Sequence, residues 1–361
     1  MLNSIGHRIA ALIALALIAA SGADAAQRTF VSTSGVDNPA CSLIAPCRNF
    51  AAAITATSID GEIVVLNSGG YGSVTVNKNV SIISPPGVYG GVAVFSGDGI
   101  TVDDGGSNTI VVVLRGLTIN GQGGTNGVRV VHANAVHVEA CNLSNLTQNG
   151  IFQTSGTMYV KDTIARNNGN VGAYILGAGV VANFDRVRME ANLNGVYVQD
   201  GAHAFIQDSV LSGNGVYGVV SFTSVGALAS SSTGVSVTRT LITNNSFAGA
   251  AAESDLASTP ALIDISDSDI SGNFRGIWAT NLSAGPTRIV AARNTIVRNY
   301  NTGVESSSGG LSQILVTLDG NVLSQNTNYD VLAPVGTIVS TRANNTGGGA
   351  GIFTSVSAPT F

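Results

Sequence analysis

The sequence predicts an all-β chain: a single-stranded right-handed parallel β-helix, a solenoid of about nine to twelve coils with a short N-terminal capping helix. Three observations carry that expectation: a repeated phrase, its period, and a composition suited to short strands. The phrase is an apolar-x-apolar strand, a turn, Ile-x-x-Asn, a second turn, then Gly-Val-x-Val. The glycine that opens its last strand falls at Gly127, Gly150, Gly172, Gly195, Gly218, Gly249, Gly276 and Gly303, with Asp330 in that place in the final copy. Copies are first 22 or 23 residues apart and later 27 or 31. The shorter period is too small for a strand–helix–strand unit and lacks helical periodicity, but it fits one coil of three short strands. With 45 glycines, 44% hydrophobic residues and only 10% charged ones, the chain suits strands joined by tight turns and not disorder.

Taken in order, the first element is a targeting segment. His7 and Arg8 precede an apolar run from Ile9 to Ala20 and the small triplet Ala23-Asp24-Ala25, which reads as a signal peptide over residues 1–25. That run is too short to span a membrane, and no later segment is comparably apolar. A secreted or periplasmic chain starting near Ala26 is therefore expected. Residues 26–60 read as an N-terminal cap, in which Cys41 and Cys47, around a proline-containing loop, are expected to form a disulfide in an oxidising compartment. Cys141 reads as a small, semi-buried residue within a coil. From about Arg48 to Ser58, Phe50, Ile54 and Thr57 share one face of an expected capping helix. Gly61 to Leu66 follows as the first strand, the β-helix runs over 61–340, and residues 341–361 read as a C-terminal cap or flexible tail.

Within each copy, alternation assigns the faces. In Gly195-Val196-Tyr197-Val198 the valines point inward and the tyrosine outward. Stacked coils then bury a continuous aliphatic column that no single coil could bury. The Ile-x-x-Asn element places Asn167, Asn192, Asn214, Asn245, Asn273, Asn299 and Asn326 at equivalent turns, where stacked amides bond along the column. The longer intervals predict loops from Thr223 to Thr233 and from Glu253 to Pro260.

The opening Phe30-Val31-Ser32-Thr33-Ser34-Gly35, the Pro46-Cys47-Arg48 approach to the cap, Gly61-Glu62-Ile63-Val64-Val65-Leu66 and the later coils together resemble right-handed β-helix proteins of the pectin-lyase-like superfamily. The resemblance covers roughly residues 27 to 340. It implies a polysaccharide partner, and the superfamily includes lyases, hydrolases, epimerases, tailspikes and adhesins. Their catalytic signatures are not intact here. Of the polygalacturonase-like pattern only Asp103-Asp104 occurs, with no partner His evident, and neither Asp-Pro-His-Asp nor the calcium-binding Gly/Asp nonapeptide is present.

Two outward features are candidates for a site. The first is a column of turn residues, Asp162, Asp185, Asp208 and Asp267, interrupted by Arg239 and flanked by Lys161 and Arg186. It reads either as ordinary Asp turn chemistry or as a lyase-like centre. In the second reading Asp162, Asp185 and Asp208 hold calcium, and Asp185, Arg186 and Lys161 supply the catalytic groups. The second feature is an outward stripe of Phe152, Tyr174 and Tyr197 on consecutive coils, preceded by Arg129, continued by Trp278 and Glu305, and flanked by Gln199, Thr154 and Glu253. It reads either as rings that stabilise the sheet or as a platform for a sugar chain. His132, His137 and His203 sit on different coils or faces, none near a Cys or carboxylate at metal-ligand spacing, and read as solvent-facing strand residues. A net charge of −5 and no basic cluster argue against nucleic acid or anionic membrane as partner. The oligomeric state has no signature. The leading expectation is an exported β-helix that engages an extracellular polysaccharide without a recognisable catalytic centre or required cofactor. The alternatives are a lyase or epimerase acting on an acidic glycan, and a structural or adhesin-like surface protein.

Overall fold

The computed structural model describes residues 26–224, 231–255, 259–281, 285–308, 314–333, 337–341, 344–347 and 352–353. The expected signal peptide, the tips of the two expected loops and most of the tail lie outside the described residues. One coil shows the plan. Thr157–Lys161 belongs to sheet 1, Ile164–Arg166 to sheet 2 and Val171–Leu176 to sheet 3. The next coil repeats it with Val181–Asp185, Arg188–Glu190 and Asn194–Gln199. Among the described residues sheet 1 has thirteen strands and sheets 2 and 3 have twelve each, and every strand but those at the sheet ends pairs in parallel with its counterparts one coil above and below. Connections between parallel strands wind right-handedly, and so does this chain.

Because successive coils stack in register, inward side chains form columns. In sheet 3 the column is Val128, Ile151, Ala173, Val196, Val219, Ala250, Ile277, Val304 and Val331, all buried. In sheet 1, Val138, Val160, Phe184, Ile206, Val237 and Ile265 do the same. Burying a side chain such as Val or Ile stabilises by roughly 1.5–3 kcal/mol, and each coil obtains that burial only from its neighbours.

The N-terminal end departs from expectation in two details. The helix is Phe50–Ala56, shorter than Arg48 to Ser58, with Phe50, Ala53 and Ile54 buried against the first coil. It stops because Thr57 already begins the strand Thr57–Val65, and the Thr57 hydroxyl bonds that of Thr29 at 2.7 Å. Thr29 lies in Ala26–Val31, which pairs in parallel with Thr57–Val65, so sheet 1 begins ahead of the helix and Gly61 to Leu66 is not its first strand. Cys41 and Cys47 form the disulfide, and the Cys47 N–H donates to the Phe30 carbonyl at 2.9 Å, which ties the loop to that first strand.

Both short turns of the coil contain a residue with left-handed backbone. Between sheets 2 and 3 these are Asn167, Ala191, Gly213, Asn244, Gly272, Arg298 and Gln325, with φ from 53° to 65°. The residue after each carries the ladder, which is therefore Asn168, Asn192, Asn214, Asn245, Asn273, Asn299 and Asn326. Asn167 is not a rung: the inward residue of its strand is Ala165, not Ile164, and the ladder amide stands three residues after it. From Asn192 onward each Oδ1 accepts both the backbone N–H and the amide N–H of the preceding coil's asparagine, as Asn245 does for Asn214 at 3.1 and 2.9 Å, while Asn168 Oδ1 accepts the Leu146 N–H at 3.1 Å. Each amide also donates to a carbonyl of the preceding coil, so the column is satisfied away from water. Cys141 occupies the corresponding buried position after the sheet 1 to sheet 2 turn, where later coils place Thr163, Val187, Ser209, Thr240, Ser268 and Asn294. Its thiol is pushed up to about 12 by burial, which leaves it inert.

Candidate functional site

The outward column of sheet 3 has the register expected. Arg129, Phe152, Tyr174, Tyr197, Val220, Ala251, Trp278 and Glu305 lie one above another. Phe152 stacks on Tyr174 with ring centroids 5.2 Å apart, and Tyr174 meets Tyr197 edge-on at 5.5 Å. The Tyr174 hydroxyl donates to Gln199 Oε1 at 2.5 Å, and the Gln199 amide donates to Asp200 at 3.0 Å.

The column is not one exposed stripe. Its three leading rings are half-buried, Val220 and Ala251 are fully buried, and Glu305 is only 7% exposed. Val220, Ala248 and Ala251 form a second apolar cluster outside the solenoid core, packed against Tyr197, Tyr217, Phe222, Phe247 and Trp278. The reason lies in the turns. Tyr217 stands at the very start of its strand and Phe247 in the turn just before the next. Both fold over the small Val220 and Ala251, and the small run Gly249 to Ala252 leaves them room. Arg275 seals the far side. Its guanidinium lies 4.6 Å from the Phe247 ring centroid and 5.4 Å from that of Trp278, while Nε donates to Glu305 at 2.8 Å. Glu305 and Trp278 are thereby occupied in packing, and the Trp278 indole donates to Ser307 at 3.0 Å.

Beside this cluster stands Glu253, in register with Phe222 and Thr280 and only 9% exposed. Burial pushes its carboxyl above the usual range; hydrogen bonding with Tyr217 acts in the opposite sense, and the charge of Asp255 adds to the rise. Burial, followed by the charge of Glu253, likewise pushes up the phenols of Tyr197 and Tyr217. A buried carboxyl beside phenols, raised above its ordinary range by that burial, is the kind of group that gives or takes a proton.

The acidic turn column is built differently from the sequence reading. The residues that stack between sheets 1 and 2 are Asp162, Arg186, Asp208, Arg239, Asp267 and Arg293, alternating in sign, each with left-handed backbone. Asp185 is not among them. It ends the preceding strand, in register with Lys161 and Gln207. Each column carboxylate is held by a two-pronged arginine contact: Arg186 on Asp162 at 2.8 and 3.1 Å, Arg239 on Asp208 at 2.8 and 2.8 Å, and Arg293 on Asp267 at 2.8 and 2.8 Å. Hydrogen bonding to these arginines lowers the three carboxyls, and the Asp162 contact in turn raises Arg186. A cation on Asp162 and Asp208 would have to displace both guanidiniums, and a base at Arg186 would have to lose a proton held between Asp162 and Asp185. Among the described residues, no three His, Cys, Asp or Glu side chains converge as a metal site would require.

Sequence reasoning also missed a pair. His132 Nδ1 lies 2.8 Å from Asp103, because the two are partners one coil apart. The glycine-rich turn after Asp103 hides that register in the sequence. Asp104 closes the turn itself. Desolvation acts upward on it, but the N–H groups of Thr109, Asn108 and Gly106 prevail and its carboxyl stands at about 2.

A family model described as a right handed beta helix region matches residues 98–261 and 177–358. No curated protein matches in sequence. Among solved structures, the chain is similar to the A-module of the Azotobacter vinelandii mannuronan C-5 epimerase AlgE4, with a TM-score of 0.61 and 15% identity over 92% of this chain and 100% of that one. It is also similar to the catalytic domain of a GH87 alpha-1,3-glucanase, with a TM-score of 0.56 and 12% identity over 90% of this chain and 70% of that one. Pectate lyase Pel9A gives a TM-score of 0.52 and 15% identity over 92% of this chain and 78% of that one. At these identities the likeness is one of fold.

Proposed function

The chain belongs to the right-handed β-helix family, and from that premise we propose that it is an exported protein that engages an extracellular polysaccharide along the outer face of sheet 3. One observation carries the reading: Phe152, Tyr174 and Tyr197 lie on consecutive coils as half-exposed rings in mutual contact, bordered by Arg129, Thr154 and Gln199. Coils about 4.8 Å apart repeat the platform on the scale of a sugar ring, and polar groups at its margin suit hydroxyls. The names of the similar structures, an epimerase, a lyase and a glucanase, favour a polysaccharide over other polymers. The Cys41–Cys47 disulfide favours an oxidising compartment.

The test is a thermal-shift and affinity-electrophoresis screen of the chain from Ala26 onward against alginate, pectate and alpha-1,3-glucan. A ligand of the folded state raises the melting temperature. At least one polymer is expected to do so, and Phe152→Ala with Tyr174→Ala is expected to weaken binding about ten-fold or more, ~1.4 kcal/mol. Gln199→Ala, which leaves the rings in place, is expected to weaken it less. A wild type that binds none of the three, or a double variant that binds as the wild type does, overturns the proposal.

A further inference from the structure

A solenoid has two ends, and at each end the last strand of every sheet lacks a neighbour on one side. At the N-terminal end the chain closes two of its three sheet edges itself. On sheet 1 the disulfide loop lies along Ala26–Val31. The Phe30 N–H donates to the Cys41 carbonyl at 2.7 Å, the Cys47 N–H to the Phe30 carbonyl at 2.9 Å and the Ser32 N–H to the Cys47 carbonyl at 2.9 Å. Sheet 2 begins with Gly69–Gly70. There Arg48 Nη1 donates to the Gly70 carbonyl at 2.7 Å, and the Phe50 N–H donates to the Tyr71 carbonyl at 3.0 Å.

Sheet 3 is left open. Its first strand, Val74–Val76, pairs with Asp98–Asp103 on one side only. Along its other side, between the strand and the capping helix, runs a groove of about 580 Å³ lined by Ala51, Ile54, Thr55, Val74, Thr75 and Lys78. Among the described residues no backbone group crosses that groove to bond with Ser73 to Asn77. Ile54 and Val74, 8% and 6% exposed, give it an apolar floor, and Thr55 and Thr75 stand exposed on its two rims.

A strand edge sets the chemistry of what can cover it. Its N–H and C=O groups alternate at the pitch of a peptide, so an extended peptide satisfies them in turn, with side chains on alternate faces. The last described strand of sheet 3, Ile352–Phe353, lies at the opposite end of that sheet. The groove also carries a charge. Lys78, just past the strand, is its one charged lining residue, and Nζ donates to the Thr57 carbonyl at 2.5 Å. Two ammonium N–H groups remain for a ligand. Burial lowers the Lys78 ammonium below its ordinary range, and no carboxylate lines the groove to oppose that. A carboxylate entering there would complement it.

We propose that this groove is a docking site for an extended peptide of a partner protein, which adds a strand to sheet 3 beside Val74–Val76 and sets an Asp or Glu side chain against Lys78. The site lies three strands from Phe152 in the same sheet and is independent of the polysaccharide reading.

Panning a random dodecamer peptide library against the chain from Ala26 onward, with counter-selection on Thr55→Trp, tests it. Thr55 is exposed on the helix, and a tryptophan there fills the groove; Ala51→Trp is a second block, and unchanged melting temperatures establish that both variants fold. The enriched peptides are expected to alternate apolar and polar residues and to carry an Asp or Glu near one end. Bound to the wild type, they are expected to slow hydrogen exchange at Val74–Val76. By fluorescence anisotropy, Lys78→Met, or Asn or Gln for the peptide's acid, is expected to weaken binding about five- to ten-fold, and Phe152→Ala to leave it unchanged. The proposal is overturned if no peptide is enriched, if binding survives both tryptophan variants, if exchange slows elsewhere and not at Val74–Val76, or if the enriched peptides lack an acid and ignore Lys78→Met. Concentration-dependent self-association lost in both tryptophan variants would also overturn it and make the edge a contact between copies of this chain.

Discussion

Between sheets 2 and 3 the chain turns through a left-handed residue and then buries an asparagine; between sheets 1 and 2 it turns through a left-handed residue whose own side chain reaches into water. The buried column, Asn168 to Asn299, is at most 3% exposed and is built of neutral amides, each bonded to the coils on both sides. The exposed column, Asp162 to Arg293, runs along the same stack with alternating full charges. Both pin the register of neighbouring coils. They differ in what water does to them. An amide that loses its partner inside the protein has no substitute, whereas a surface carboxylate or guanidinium that loses its partner is rehydrated. The lesson is that the quieter, uncharged ladder should carry the fold.

The largest expected effect follows directly. Asn245→Ala leaves the Asn214 N–H and amide without their acceptor and opens a small void, and it should lower stability by roughly 2–4 kcal/mol. Urea unfolding followed by circular dichroism measures it, and a loss under about 1 kcal/mol would break the contrast between the columns. A smaller effect is expected at Arg239, where φ is 46°. Arg239→Ala removes the contact with Asp208 but keeps the strained backbone, whereas Arg239→Gly removes both contact and strain. The glycine variant should therefore be the more stable of the two, and both should fall well short of the Asn245 effect. The reverse order would mean that the ion pair outweighs the backbone.

The smallest effect separates the columns by pH. Asp208 and Asp267 have carboxyls lowered by their arginines from an ordinary 3.8. Their contribution is present above that ordinary value and lost as pH falls through the lowered one, where the folded state must take up protons. The gap in melting temperature between wild type and Asp208→Asn should thus shrink progressively as pH falls below the ordinary carboxyl value of 3.8, while the gap between wild type and Asn245→Ala should persist. Molar salt should shrink the first gap as well. A gap at Asp208 that ignores both pH and salt would show that the exposed column acts through packing.

What could be read before the structure was whatever repeats with the coil. The period, the inward aliphatic columns and the register of Arg129, Phe152, Tyr174, Tyr197, Trp278 and Glu305 all follow from strict alternation and stacking, which a linear pattern encodes in full, and the disulfide follows from two nearby cysteines around a loop in an oxidising compartment. Two readings slipped by one residue. Asn167 and Asn168 are adjacent and both suit a turn, as do Asp185 and Arg186 at a strand end, and only the stacked neighbours decide which member is the rung. The tertiary structure alone decided exposure. Tyr217 and Phe247 come from the ends of strands, where no period operates, and they fold over Val220 and Ala251 because those side chains are small. Tyr159 and Phe205 on sheet 1 stay open because nothing among the described residues folds over them. Periodicity thus fixes which face a residue lies on, whereas what covers that face depends on side-chain size and direction in three dimensions.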